Sequence, residues 1–147
     1  MKRIFALLQN TTPSFNLFNG AMLFFRVFLA MEMILVHGLK KLGLAGGDAE
    51  VVPNPLHLPE AFNQLFATAA NLVFPLFVIV GLFTRLAILP IIAVPLTGYF
   101  IVHGHDPLLV RDVPFMYSLS YLLVLLLGPG KYSIDYLITR PKGSSLR

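Results

Sequence analysis

The sequence predicts an all-α membrane protein, an antiparallel bundle of four transmembrane helices, and three observations support this fold class. Long stretches contain no charged residue, notably residues 62–83, 86–102 and 113–127. Mean hydropathy is +0.77, and only 12% of residues are charged, whereas soluble domains average about 25%. A helix needs roughly 20 apolar residues to cross the hydrocarbon core of a bilayer, so a chain of 147 residues has room for four such helices and little else.

The chain is predicted to form one domain over residues 1–147, with turn residues separating the helices. The predicted helices span about residues 14–38, 59–83, 86–104 and 113–128. Pro13 suits the entry to the first helix, and a proline-rich loop over residues 42–60 precedes the second. Prolines inside the second and third helices are tolerated in membranes but predict kinks: Pro75, Pro90 and Pro95.

Basic residues predict which side of the membrane holds each loop. With four spans both termini lie on one side, and that side collects seven lysines and arginines: Lys2, Arg3, Arg85, Lys131, Arg140, Lys142 and Arg147. The other side collects three: Lys40, Lys41 and Arg111. Because cytoplasmic loops carry the excess of basic residues, both termini are predicted to be cytoplasmic.

Composition narrows the possible functions. The chain has no cysteine, which rules out disulfides, cysteine-ligated iron–sulfur clusters and thiol chemistry within it. The net charge of +4 comes from residues at the ends of segments, where they suit membrane topology and lipid phosphates rather than nucleic acid. No haem, flavin or metal motif is present, and the expected partner is the lipid bilayer.

The first predicted helix carries ionisable residues where lipid would surround it. A charge at mid-membrane costs about 2.5–3.5 kcal/mol, so such groups usually face the interior of a bundle. At about 100° per residue, Arg26, Met33, His37 and Lys40 lie within roughly 60° of one another, whereas Glu32 lies roughly 120° from Arg26. Arg26 and Glu32 are therefore each expected to find a partner on another helix. They could form a proton or anion site, or a structural ion pair that fixes the register of the helices.

A second polar cluster is predicted at the outer end of the third helix, at the same depth as His37. It comprises His103, His105, Asp106, Arg111 and Asp112. Three interpretations are open: a metal site, a hydrated polar rim, or a site for an amphipathic ligand whose head carries oxygens. A quinone ring or a lipid headgroup fits the third interpretation. Asn71 should seek a hydrogen bond between helices, and three tyrosines could line such a site or anchor the interface: Tyr99, Tyr117 and Tyr121.

Three segments resemble the DoxX family. Arg26, followed by His37-Gly38 and then Lys40-Lys41-Leu42, resembles its first-helix signature, and residues 78–86, V-I-V-G-L-F-T-R-L, resemble the end of its second helix. The family's fourth helix is similar to the segment that begins with Asp112-Val113-Pro114 and continues as an apolar helix. Its G-P-G-x-x-S-x-D ending is similar to residues 128–135. The similarity spans about residues 15–138.

The resemblance implies a four-helix integral membrane protein of a bacterial or archaeal plasma membrane. The family is named for a subunit associated with a thiosulfate:quinone oxidoreductase and terminal quinol oxidase system, and other members are linked to oxidative-stress complexes. Two positions depart from the family pattern. Asn71 stands where many relatives carry an acid, and if that acid is part of a proton path in the family, the path is in doubt here. Asp112 stands where a glutamate is common.

The leading hypothesis is a small membrane subunit of a quinone-linked oxidoreductase system, supplying a quinone-facing pocket or a membrane anchor. Any redox cofactor would lie on a partner subunit, or the chain would form a homo-oligomer. Alternatives are a small transporter or lipid-binding protein, and a structural subunit without a ligand. The predicted ligand-binding residues are Arg26, Glu32, His37, Lys40, Asn71, His103 and Asp112.

Overall fold

A computed structural model describes residues 12–140, and every regular element in this range is helical. The long helices are α1 (Phe15–Lys41), α2 (Glu60–Val80), α3 (Thr84–Val102) and α4 (Leu108–Leu127), each long and apolar enough to cross a membrane. A short helix, α5 (Ile134–Thr139), follows. The predicted four-helix fold class is confirmed. Four of the counted basic residues lie outside the described residues: Lys2, Arg3, Lys142 and Arg147.

The helix ends follow from local sequence. The Ser14 hydroxyl accepts a hydrogen bond from the Leu17 amide and caps α1, as serine commonly does at this position. Gly81, with a φ of 72°, ends α2, because glycine enters the left-handed region without a steric penalty. Helix α4 begins at Leu108, five residues earlier than the sequence predicts. Pro107 already has the φ that a helix start requires, with a value of −56°.

The four long helices pack in chain order. Helix α1 packs against α2, α2 against α3, and α3 against α4, whereas α1 and α4 make little contact. The buried core is small and lies at the centre of these contacts: Met22, Ala30, Met33, Val78, Ala87, Ile88, Ile91, Tyr121 and Val124. Many of the remaining large apolar side chains are exposed on the outside of the bundle. Lipid tails would cover these side chains without loss, because hydrocarbon is as apolar as leucine.

The bundle has two ends, which we name by what they contain. The termini end holds the start of α1, the turn at residues 81–83, the end of α4, and α5. The loop end holds the end of α1, the first loop (residues 42–59) and the α3–α4 connection. At the loop end both α1 and α3 become π-helical, over Met33–Gly38 and Gly98–Val102. A π turn contains about one extra residue, and such turns occur frequently at functional sites.

Candidate ligand-binding site

Arg26 lies at the termini end, buried to 1% exposure. Its Nη1 donates to the carbonyls of Val78 and Ile79, the latter at 2.6 Å, and its Nη2 donates to the carbonyl of Tyr132 at 2.5 Å. The last carbonyls of a helix lack partners within the helix, and a cation there also complements the helix dipole. Arg26 therefore caps α2 and ties it to the segment after α4.

Asp135 makes the complementary connection at the same end. Its carboxylate accepts hydrogen bonds from the amides of Phe83 at 2.7 Å and Thr84 at 2.9 Å, at the start of α3. Its own amide donates to the Gly81 carbonyl at 2.8 Å. A side chain at Gly81 would lie 2.5 Å from the Ser133 Cβ, so only glycine fits. The 78–86 and 128–135 segments quoted for the family resemblance thus meet here, around Arg26, as a structural joint.

A cavity of about 320 Å³ lies at the loop end, between α1, α2, α3 and α4. We call it the head cavity. Five of its lining side chains are polar: His37, Lys41, Asn71, His103 and Tyr117. The others are mainly apolar: Met33, Val94, Pro95, Val110, Val113 and Pro114. The head cavity therefore combines an apolar wall with a few polar groups, as ligand sites usually do. It contains three of the predicted site residues, and Arg26 does not line it.

Asn71 is the most unusual residue of the head cavity. Its side chain is 3% exposed, and its Oδ1 is buried without a hydrogen-bond partner in the described part of the chain. The interhelical hydrogen bond expected from the sequence is thus missing at this oxygen. The reason is geometric, since Asn71 lies on α2 facing the space beside the π segments of α1 and α3. A buried unpaired polar atom costs about 1–3 kcal/mol, so a ligand that pairs with it is favoured.

Lys41, rather than the predicted Lys40, lines the head cavity. The Lys41 side chain is 7% exposed and the Lys40 side chain 58% exposed. The π segment Met33–Gly38 explains the exchange, because its extra residue rotates everything after it about the helix axis. An α-helical wheel places Lys40 on the same helix face as His37, and the π turn places Lys41 on that face instead. No sequence signal identified this shift.

Both lysines hold the first loop through Glu50. Lys40 Nζ lies 3.1 Å from Glu50 Oε1, and Lys41 Nζ lies 3.2 Å from Glu50 Oε2. Partial burial by itself raises the pKa of the Glu50 carboxyl, but hydrogen bonds and charge from the two lysines outweigh burial and lower that pKa below its ordinary value. Glu50 was not singled out from the sequence, because an acid in a long loop is usually solvated.

Glu32 and Asp112 lie outside the head cavity. They line a groove of about 440 Å³ between α1 and α4, together with Phe24, Phe25, Phe28, Leu29, Val113, Met116, Tyr117 and Ser120. We call it the seam groove. Glu32 and Asp112 are exposed on the isolated chain, and neither has a hydrogen bond or ion pair among residues 12–140. Only Val113 and Tyr117 line both spaces.

The three candidate tyrosines have different roles. Tyr117 lines the head cavity, and its ring packs edge-on against that of His37 with 5.1 Å between centroids. Tyr121 lies in the core, with its hydroxyl 3.5 Å from the Leu29 carbonyl, and Tyr99 lies under the Arg111 guanidinium. His103 Nδ1 is 2.8 Å from Asp106 Oδ2. Within residues 12–140 no group of three or more histidine and acidic side chains is placed to hold a metal ion.

Comparison with known proteins identifies the family. The DoxX family model matches residues 21–104. The chain belongs to the DoxX family. The residues matched to DoxX include Arg26, His37, Asn71 and His103, whereas Asp112 lies beyond them. A curated protein of Haemophilus influenzae, described as an uncharacterized protein, is 30% identical over 128 residues, covering 82% of this DoxX chain and 84% of the relative. No solved structure matches.

Proposed function

We propose that this DoxX protein is a small membrane subunit of a quinone-linked oxidoreductase system, in sulfur or oxidative-stress chemistry, and that the head cavity binds the quinone ring. The observation that carries the proposal is the buried Asn71 amide, whose Oδ1 has no partner in the described residues and which lines a polar cavity. A ligand with a hydroxyl group, such as a reduced quinone, can donate a hydrogen bond to this oxygen. Three other buried atoms lack a partner in the described residues, Arg26 Nε, Thr84 Oγ1 and Arg111 Nε, but of the four residues only Asn71 lines the head cavity.

A quinone matches the chemistry of the cavity wall. Its ring is flat and apolar, and its two oxygens accept hydrogen bonds when oxidised and donate them when reduced. The His37 imidazole, the Lys41 ammonium and the Asn71 amide can donate to the oxidised form, and Asn71 Oδ1 can accept from the reduced form. The cavity volume of about 320 Å³ is at the small end of ligand sites, which suits a single ring.

The remaining predicted residues have more distant roles in this proposal. Arg26 takes no part, since it does not line the head cavity and its Nη1 and Nη2 donate to carbonyls at the other end of the bundle. Glu32 and Asp112 face the seam groove across Tyr117, and they would exchange protons with the cavity through the phenol. His103, paired with Asp106, closes the outer mouth.

Electrons would come from a partner subunit that carries the redox centre. The protein would lie in the plasma membrane of a bacterium or archaeon with both termini in the cytoplasm. The basic residues Arg85, Lys131 and Arg140 at the termini end support this orientation. The head cavity would then lie in the outer half of the membrane, where a lipid-dissolved quinone reaches it.

The test compares His37→Phe with His105→Phe in lipid nanodiscs. Phenylalanine keeps the aromatic contact of His37 with Tyr117 but removes the ring nitrogens, whereas His105 does not line the head cavity. We expect His37→Phe to weaken quinone binding about tenfold, the size of one lost hydrogen bond, and His105→Phe to leave it unchanged. Wild-type protein that binds no more quinone than empty nanodiscs would refute the proposal, and co-purified lipid in the cavity would favour the lipid-binding alternative.

A further inference from the structure

A second cavity adjoins the head cavity at the loop end. It has a volume of about 440 Å³ and lies between the first loop and the faces of α2 and α3. We call it the tail chamber. The loop contributes mainly apolar side chains to it, and so do the helices: Val52, Pro53, Pro55, Leu56, Leu58, Phe62, Phe66, Ala67, Ala93, Val94 and Val102. Its polar lining residues are Lys41, Glu50, Asn63, Thr97 and His103, and of these Lys41 and His103 also line the head cavity.

The two cavities share a wall of four residues. Lys41, Val94, Gly98 and His103 line both spaces. Gly98 begins the π segment of α3, and it presents no side chain between the two spaces. The head cavity and the tail chamber thus form one two-part space, and the helices line most of the second part with apolar side chains.

The first loop forms a fixed roof over the tail chamber. Gln64 on α2 accepts from the Val52 amide at 3.2 Å and donates to the Glu50 carbonyl at 3.3 Å. Asn63, one residue earlier, donates to the carbonyls of Val52 at 3.4 Å and Pro53 at 3.3 Å. Together with the Glu50 ion pairs, these bonds hold the loop against α2. The chamber is therefore a built feature and not a gap beneath a loose loop.

We propose that the tail chamber binds the first part of the apolar tail of a ligand whose polar ring occupies the head cavity. The ligand class is a quinone with a hydrocarbon tail, so the inference rests on the proposed function. Leu56 and Phe62, each 53% exposed, lie on the chamber lining and mark the side from which the rest of the tail would leave into lipid. A hydrocarbon tail gains little free energy by moving from lipid to an apolar chamber. The chamber would therefore discriminate between ligands by the shape of their tails.

The seam groove is the competing place for the tail, and it is less suitable. Its connection to the head cavity runs past Tyr117, whose ring packs against His37. It also carries two carboxylates, Glu32 and Asp112. Hydrocarbon against an ionised carboxylate leaves that charge without water or a partner, which is unfavourable. The tail chamber is also lined by one carboxylate, Glu50, but that carboxylate is paired with Lys40 and Lys41.

The test uses two ligands and two cavity-filling variants in nanodiscs. The ligands are a dimethoxy-methyl-benzoquinone without a tail and the same ring with a decyl tail. Ala93→Phe fills the tail chamber, and Ser120→Phe fills the seam groove. We expect Ala93→Phe to lower the affinity for the decyl quinone relative to the tailless quinone by about tenfold, because the new ring would occupy the space that the tail needs. Ser120→Phe should leave that ratio unchanged.

Photolabelling of the wild-type protein supplies a readout that needs no variant. A decyl quinone with a diazirine in its tail should label residues 52–66, located by mass spectrometry of the peptides. Two results would overturn the inference while leaving the quinone ring in the head cavity. One is labelling of residues 24–28 or 113–120, and the other is a loss of affinity for the decyl quinone relative to the tailless quinone in Ser120→Phe but not in Ala93→Phe. If neither ligand binds wild-type protein above empty nanodiscs, the proposed function itself fails.

Discussion

Replacing Asn71 by leucine tests whether its amide binds a ligand or supports the fold. The same substitution at Asn19 is a matched control. Asn19 and Asn71 are both 3% exposed, on neighbouring helices. Asn19 Oδ1 accepts from the Lys131 amide and Nδ2 donates to the Phe15 carbonyl, each at 2.6 Å. Asn71 Oδ1 has no partner in the described residues. The same substitution therefore removes satisfied hydrogen bonds at one site and an unsatisfied oxygen at the other.

The expected changes in the free energy of unfolding differ in size. Asn19→Leu loses two hydrogen bonds and leaves the Lys131 amide unpaired, which should destabilise the protein by about 2 kcal/mol. Asn71→Leu removes a buried group that already lacks a partner at its oxygen. Interhelical hydrogen bonds in membranes average about 0.6 kcal/mol, so we expect a change of at most about 1 kcal/mol in either direction. Only Asn71→Leu should weaken quinone binding, by about tenfold.

The assay is reversible unfolding of both variants in mixed micelles, paired with quinone binding in nanodiscs. Asn19→Leu controls for the size and polarity change. Equal destabilisation by the two substitutions would show that Asn71 makes a structural hydrogen bond, and the argument from its unpaired oxygen would then be wrong. Unchanged quinone binding in a stable Asn71→Leu protein would refute the role of that amide in the head cavity.

Three further predictions concern the frame around the site. Arg26→Leu leaves carbonyls at the end of α2 unpaired, so it should destabilise the bundle by about 3 kcal/mol in micelle unfolding. The fraction that folds should still bind quinone. Unchanged stability would contradict the capping role of Arg26. Gly38→Ala places a Cβ 2.6 Å from a backbone oxygen of α2, so it should destabilise the protein by about 1–3 kcal/mol. Gly20→Ala is the control, because its Cβ has no atom within 4 Å, and it should stabilise the protein by about 0.5–1 kcal/mol. Glu50 has a lowered pKa, so its ion pair with Lys41 contributes stability above the ordinary carboxyl pKa and is lost as pH falls through the lowered value. The protection of the loop amides against hydrogen exchange, relative to the intrinsic rate at each pH, should fall from about pH 7 to about pH 3. Glu50→Gln should show this low protection at both pH values.

Arg26 shows how far sequence can lead at a membrane site. The cost of a charge in lipid predicts that Arg26 faces inward and needs partners from elsewhere in the bundle, and the structure places it in that way. Its actual partners are backbone carbonyls of Val78, Ile79 and Tyr132. Every residue has a carbonyl, so no side-chain pattern could point to these three. From the sequence, the charge of Arg26 suggests either a ligand site or a structural ion pair, whereas in the structure Arg26 caps the end of α2.

The sequence by itself determined the number of membrane helices and their approximate extents, because the thickness of the bilayer and the cost of charge within it act on each segment independently. Only the tertiary structure decided which polar side chains share a cavity. The π turn in α1 exchanges Lys40 for Lys41 at the head cavity, and the limited contact between α1 and α4 leaves a separate groove that Glu32 and Asp112 line. The residues that line each cavity depend on how far the π turn rotates the end of α1 and on which helices are in contact. Packing across the whole bundle determines both, and the hydropathy along the chain carries no information about it.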